Sequence, residues 1–274
     1  MTDNDFESRF ILVLDGSQEL VSRANLVLQQ ALMSDVGPES MPEIPVWRLH
    51  LAATSTFLGV LQCLRTRHSS LGAFSLLRGL IEAWTHLYFI ADNSEADTAA
   101  IRAIRFEAGV LSEWASVKKA MNPDTDYDEL QRDNDATILR LCIANGRNEL
   151  PKRRTYKDVN PTLQKMAKFP TLERLELIHS ASSVAVHASA ADFLLETTTT
   201  GVTVVWASPG RRCAWLQMAI MCYDYLTISA LSSVLDSSEN SAIKDLHERW
   251  QLIYNDPLLM SAVGAENAEE SDEQ

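Results

Sequence analysis

Residues 75–92 read SLLRGLIEAWTHLYFIAD, and this stretch decides the fold. Its apolar residues recur at helical spacing, with Arg78, Glu82 and His86 set among them. A second apolar stretch, residues 175–195, reads LELIHSASSVAVHASAADFLL and carries Ser183 and His187. Helices as apolar as these are buried in a core. The two stretches therefore predict a protein in which core helices pack against one another.

The rest of the chain shows the same period in most of its length. Helical spacing covers residues 6–33, 46–67, 94–121, 211–235 and 241–254, and prolines lie between such segments. Gly16 and Ser17 interrupt the first segment and predict a bend or a split there. β-Branched residues and Gly201 break the period near residues 198–206. We expect an all-α bundle of about eight helices with a short β-like excursion.

The length of the chain suits one helical domain over residues 1–257. Within it, residues 1–40 form an N-terminal helix and linker, and residues 46–254 form the main bundle. Residues 258–274 are predicted to be an acidic disordered tail, because their last nine positions hold five acids and no base.

Composition restricts the location of the protein and its partners. A formal net charge of −13 argues against broad coating of a nucleic-acid backbone. The four cysteines lack zinc-ligand spacing, and the N-terminus is acidic where a secretory signal is basic. Residues 211–235 are long enough to span a bilayer, but Asp224 at their centre favours a buried bundle helix. We expect a cytoplasmic protein without a membrane segment.

The polar residues of the two core helices form candidate site pairs. Arg78 with Glu82, and Ser183 with His187, are four residues apart and lie on one helix face each. Because buried charges are costly unless paired, we expect all four to meet. One interpretation is a structural network that fixes helix register. The other is a site in which His187 is the acid or base, Arg78 steadies an anion and Glu82 orients one of these two residues.

Metal and cofactor motifs are missing from the sequence. Glu82 and His86 are four residues apart, but the repeated Glu-x-x-His pattern of di-iron bundles is absent. The acids at 124, 126 and 128 lack the glycine and glutamate of a calcium loop and are interpreted as helix caps. No glycine loop that cradles phosphate occurs. We therefore predict neither a metal nor a cofactor.

Residues 140–174 are the basic part of the chain, with nine Lys or Arg against three acids. Their centre is poor in apolar residues and is predicted to be an exposed loop. One interpretation is a solvated connection between helices, and the other is contact with RNA phosphates. The candidate contact residues are Arg147, Lys152, Arg153, Arg154 and Lys157.

The segments LLRGLIEAWTHLYFIAD and HSASSVAVHASA resemble a bacterial all-helical family of unknown function. Its pattern is an Arg-x-x-x-Glu helix followed later by a Ser-x-x-x-His helix, with Arg105 as a weaker member. More loosely, the chain is similar to the HEPN superfamily, whose members include ribonucleases of toxin and phage-defence systems. Their hallmark of Arg and His separated by four to six residues matches Arg174 and His179. This similarity implies a site shared by two protomers.

Two functions follow from these observations. The first is a binding or regulatory module built around Arg78, Glu82, Ser183 and His187, within a phage-defence or stress system. The second is a metal-independent HEPN-like ribonuclease with His179 or His187 as acid and base. Either one implies an RNA or protein partner, and we expect a homo-oligomer. A ribonuclease needs its histidine in an open cleft, whereas a structural network is closed to water.

Overall fold

The computed structural model describes residues 2–34, 43–66, 69–92, 97–168, 172, 175–186, 195–198, 201–204, 208–234 and 241–272. These residues confirm the all-α multi-helix bundle and hold ten α-helices, two more than the sequence predicts. In chain order they are α1 (Asp3–Ser34), α2 (Glu43–Leu64), α3 (Ser70–Ala91), α4 (Ala99–Met121), α5 (Tyr127–Ala144), α6 (Val159–Met166), α7 (Leu175–Val186), α8 (Pro209–Val234), α9 (Ser241–Tyr254) and α10 (Pro257–Asp272).

The predicted β-like excursion is an antiparallel pair of strands. Strands β1 (Leu195–Thr198) and β2 (Gly201–Val204) pair with Leu195 opposite Val204 and Thr198 opposite Gly201. The excursion therefore begins at residue 195, which the sequence assigns to the end of a helix.

The core is centred on α3, which packs against α2 and α8. Leu77, Leu80 and Ile81 on α3 are fully buried, as their helical spacing predicts. An aromatic cluster joins α2, α8 and α9, because Phe57 stacks on Tyr223 at 4.7 Å between ring centroids and meets the edge of Trp250 at 5.7 Å. None of the helices in the described residues is long and apolar enough to cross a membrane.

Helix α1 runs without interruption through Gly16 and Ser17, where the sequence predicts a bend or a split. The Ser17 hydroxyl is buried and donates to the Val13 carbonyl at 2.9 Å, so the polar side chain is satisfied within the helix. Helix α1 is held to α8 by Arg212, whose buried guanidinium donates to both carboxylate oxygens of Glu7 at 2.5 and 3.1 Å.

Helix caps fix the starts of α4 and α5. Thr98 caps α4 by accepting from the backbone N–H of Ile101 at 3.3 Å, and residue 94, at which the sequence predicts the start of this helix, lies outside the described residues. Asp126 caps α5 by accepting from the backbone of Asp128 and Glu129 at 3.0 Å each. This confirms the interpretation of Asp126 as a capping acid.

The C-terminal end differs from the sequence prediction. The chain is helical over Pro257–Asp272, where the sequence predicts a disordered tail from residue 258. Leu258 and Leu259 are buried in the main core, and α10 packs on α8. Burial of this apolar pair explains why the chain continues as a packed helix beyond residue 257.

Candidate functional site

Arg78, Glu82 and His179 meet where α3 packs against α7. Arg78 Nε donates to Glu82 Oε1 at 2.7 Å, within one turn of α3. His179 Nε2 lies 3.3 Å from the same oxygen and comes from α7. Arg78 and Glu82 belong to the predicted site with Ser183 and His187. His179 belongs to the HEPN-like pair that it forms with Arg174 in the sequence. We call Arg78, Glu82 and His179 the Arg78 cluster.

The charge of Glu82 is stabilised by both neighbours. The hydrogen bond with His179 is the main cause that lowers the pKa of Glu82 below its ordinary value, and Arg78 adds to it. Partial burial of the carboxyl opposes this shift but does not cancel it. Glu82 is therefore ionised at neutral pH, and its Oε1 accepts from Arg78 and lies within hydrogen-bond distance of His179.

The Arg78 cluster is open to solvent on the side of the arginine. The side chains of Arg78 and Glu82 are 30% and 36% exposed, whereas that of His179 is 10% exposed. Among the described residues, Arg78 finds a hydrogen-bond partner for its Nε alone. Its two terminal nitrogens have no hydrogen-bond partner among the described residues, while Glu82 holds the guanidinium through Nε. This geometry departs from the closed network that one interpretation requires.

The other predicted members of the site have different positions. Ser183 belongs to α7, but its side chain is not among the described ones, and His187 and Arg174 lie outside the described residues. The contact of Ser183 and His187 with Arg78 and Glu82 therefore stays a prediction. The contact between His179 and Glu82 was not predicted, because residue spacing does not show which face of α7 packs against α3.

Two of the predicted RNA-contact arginines are paired with acids. Arg147 Nη1 donates to Asp97 Oδ1 at 3.0 Å, and Arg153 Nη2 donates to Asp135 Oδ1 at 2.6 Å. Lys152 and Lys157 are exposed. RNA contact through this segment stays a prediction; among its candidate contact residues the two lysines are exposed, and Arg147 and Arg153 keep 31% and 37% of their side chains exposed.

Arg154 is buried, in contrast to the exposed loop that the sequence predicts. Its Nε donates to His86 Nδ1 at 3.0 Å, and its Nη2 donates to Thr162 Oγ1 at 2.9 Å. The guanidinium also lies 4.1 Å from the ring centroid of Phe89, a cation–π contact. The acceptors and the aromatic face together compensate the loss of water around this charge.

Arg105, the weaker member of the resemblance, holds the basic segment rather than the Arg78 cluster. Its Nη1 donates to Asp97 Oδ2 at 2.9 Å, and its Nε donates to the Lys152 carbonyl at 3.1 Å. Asp97 therefore bridges Arg105 and Arg147, one on each carboxylate oxygen.

His86 is committed to Arg154, since its Nδ1 is the acceptor of the Arg154 hydrogen bond. Burial, helped by the nearby charge of Arg154, lowers the pKa of His86 to about 4. The described ranges contain no group of three or more His, Cys, Asp or Glu residues placed to hold a metal ion.

A second carboxylate–imidazole pair, Asp224 and His247, was missed by sequence reasoning. His247 Nδ1 lies 2.7 Å from Asp224 Oδ2, and Asp224 is buried while His247 is partly exposed. Burial raises the pKa of Asp224 above its ordinary value. The available signal was an acid inside an apolar helix, which indicates a buried partner but does not identify it.

A protein-family model matches residues 43–200, and its description is "Family of unknown function (DUF5677)". No curated protein and no solved structure matches the chain. The matched range contains the whole Arg78 cluster and the basic segment, and it ends before Asp224 and His247.

Proposed function

This chain belongs to the family of unknown function DUF5677, and on that premise we propose that it is a binding module that recognises an anionic group through Arg78. In this proposal Glu82 orients Arg78, and His179 holds Glu82 in place. The observation that carries the proposal is that Arg78 is bonded at Nε alone among the described residues, while its side chain is 30% exposed.

The chemistry of arginine explains why this geometry suits an anion. A guanidinium has two donating edges and can bind a phosphate or carboxylate with two parallel hydrogen bonds. The Glu82 bond at Nε fixes the plane of the guanidinium and leaves its terminal nitrogens for a ligand. Orientation before binding reduces the conformational entropy that binding costs. A role in phage defence or stress rests on the looser similarity to the HEPN superfamily alone.

Pyrophosphate is a suitable probe because it offers several acceptor oxygens to one guanidinium. We expect pyrophosphate to raise the melting temperature of the wild-type protein and to have no such effect on Arg78→Gln. The control is Arg140→Gln, which removes the same charge from an exposed position on α5 and should respond like the wild type. The proposal fails if the wild type does not respond or if Arg78→Gln responds equally.

A second candidate is a metal-independent ribonuclease of HEPN type, and the contact between His179 and Glu82 favours it. A carboxylate partner stabilises a protonated imidazole, which can then donate a proton to a leaving group. RNA would reach the site along Lys152 and Lys157, and two copies of the chain would share it, as the resemblance implies.

RNA cleavage by the purified protein in EDTA tests this candidate. Wild type should cleave, and either His179→Ala or His187→Ala, confirmed as folded by circular dichroism, should abolish cleavage. An inactive wild type excludes the ribonuclease. It does not affect the pyrophosphate experiment, so the two candidates are tested separately.

A further inference from the structure

The second half of α4 presents a row of large apolar side chains to solvent. Trp114, Val117 and Met121 are 57%, 44% and 79% exposed. They follow one another by three and four residues and therefore lie on one face of the helix. Beyond Gly109, the buried residue of α4 is Ala115, which lies about 130° around the helix from the centre of this row. We call Trp114, Val117 and Met121 the α4 stripe.

Two opposite charges flank the α4 stripe. At 100° per residue, Glu113 and Lys118 lie about 70° from the centre of the stripe, one on each side. Both side chains are exposed, and neither forms an ion pair with any part of the chain that the structure describes. The apolar row therefore has an acidic edge and a basic edge.

This arrangement has the heptad pattern of a two-stranded coiled coil. Trp114 and Met121 take position a, Val117 takes d, Glu113 takes g and Lys118 takes e. In a parallel pair, the g residue of one helix faces the e residue five positions later on the other. Glu113 and Lys118 have this separation. In an antiparallel pair Glu113 would face its own copy and repel it.

We propose that the α4 stripe binds a second copy of this chain, with the two α4 helices parallel and Glu113 of each copy paired with Lys118 of the other. The contact is isologous: both copies use the same surface, and the two-fold axis repeats each contact twice. Exposed apolar rows with a polar rim are typical of such interfaces. Because the stripe spans only two helical turns, the dimer is weak and depends on concentration. The α4 stripe shares no residue with the Arg78 cluster.

Sedimentation equilibrium of the full chain, from about 1 µM to about 1 mM, tests the apolar part of the proposal. The wild type should dimerise within this range. Trp114→Glu, at an exposed position, should raise the dimer dissociation constant at least about tenfold. The melting temperature of the variant shows whether the fold is kept. A wild type that stays monomeric, or a dimer that Trp114→Glu does not weaken, overturns the proposal.

Charge exchange tests the parallel register. Glu113→Lys and Lys118→Glu should each weaken the dimer, because each puts like charges opposite one another. The double variant Glu113→Lys with Lys118→Glu should restore the wild-type constant. Asp133→Lys on the exposed face of α5 makes the same charge change as Glu113→Lys and should leave dimerisation unaltered. Single reversals without effect, or a double variant that does not recover, overturn the parallel pairing.

Discussion

Arg154 donates its Nε hydrogen to Nδ1 of His86, and the two atoms lie 3.0 Å apart. The arginine comes from the basic segment and the histidine from α3, so the contact fixes the segment to the centre of the bundle. Protonation of His86 at Nδ1 would place two donors face to face. The pair therefore requires a neutral histidine, in agreement with its lowered pKa of about 4.

Replacement of Arg154 by glutamine should destabilise the fold. The change removes the donor to His86 and Thr162 and the cation over Phe89, and it leaves buried acceptors without their partner. We expect the free energy of unfolding to fall by about 3 kcal/mol, as measured by urea denaturation. Lys152→Gln, two residues earlier and exposed, should change it by less than about 0.5 kcal/mol. Equal stability of the two variants would show that the contact does not hold the segment.

Gly109 on α4 is the position at which the basic segment comes closest to a helix backbone. A Cβ at residue 109 would lie 1.8 Å from the Arg154 carbonyl oxygen. The segment cannot easily move away, because the Arg154 N–H donates to the Arg105 carbonyl at 2.9 Å. Gly109→Ala should therefore lower the free energy of unfolding by at least about 2 kcal/mol.

The matched control is Gly264→Ala on α10, where an added Cβ would meet no atom within 4 Å. Alanine is the better helix former, so this variant should be up to about 1 kcal/mol more stable than the wild type. A Gly109→Ala protein as stable as Gly264→Ala would contradict the close packing of Arg154 on α4.

The helices could be predicted from the sequence, but the contacts between them could not. Periodicity predicts α9 at its observed bounds, because apolar spacing depends only on local order along the chain. A count of basic residues could not distinguish buried Arg154 from exposed Lys152, because it does not show which side chains point into the core. Gly109 inside a helical pattern was an available signal of close approach. The partner of Glu82 depended on the rotation of α7, which is set by tertiary packing.

His50, which is buried, and His86, which is partly buried, should make the fold sensitive to mild acid. Burial lowers the pKa of His50 to about 4, as it does for His86, from an ordinary value of 6.5. Between pH 6.5 and 4 the unfolded chain binds a proton at each histidine, whereas the folded protein does not. The free energy of unfolding should therefore fall as the pH falls through this range. Urea denaturation at several pH values measures the slope.

Substitutions that keep the hydrogen-bond geometry assign this slope to its residues. In His86→Asn the amide oxygen replaces Nδ1 as acceptor for Arg154, and in His50→Gln the amide replaces the Nε2 contact with Thr227 at 3.3 Å. Each variant should reduce the pH dependence by about 1.4 kcal/mol per pH unit. An unchanged slope in His86→Asn would mean that His86 is protonated in the folded state.

Asp224 should act in the opposite direction. Because burial raises its pKa above the ordinary 3.8, the folded protein keeps a proton on Asp224 that the unfolded chain has lost just above that pH. Its contribution to the free energy of unfolding therefore falls as the pH rises through this window. Asp224→Asn removes that opposing contribution, while the amide keeps a hydrogen-bonding atom beside Nδ1 of His247.

The slope of the free energy of unfolding against pH should therefore be steeper in Asp224→Asn than in the wild type, by up to about 1.4 kcal/mol per pH unit above pH 4. Asp133→Asn, which removes an exposed carboxylate from α5, is the control and should leave the slope unchanged. A shallower slope in Asp224→Asn would mean that the ion pair with His247 outweighs burial and holds Asp224 ionised. The sign of the change thus decides which of the two effects governs this buried acid.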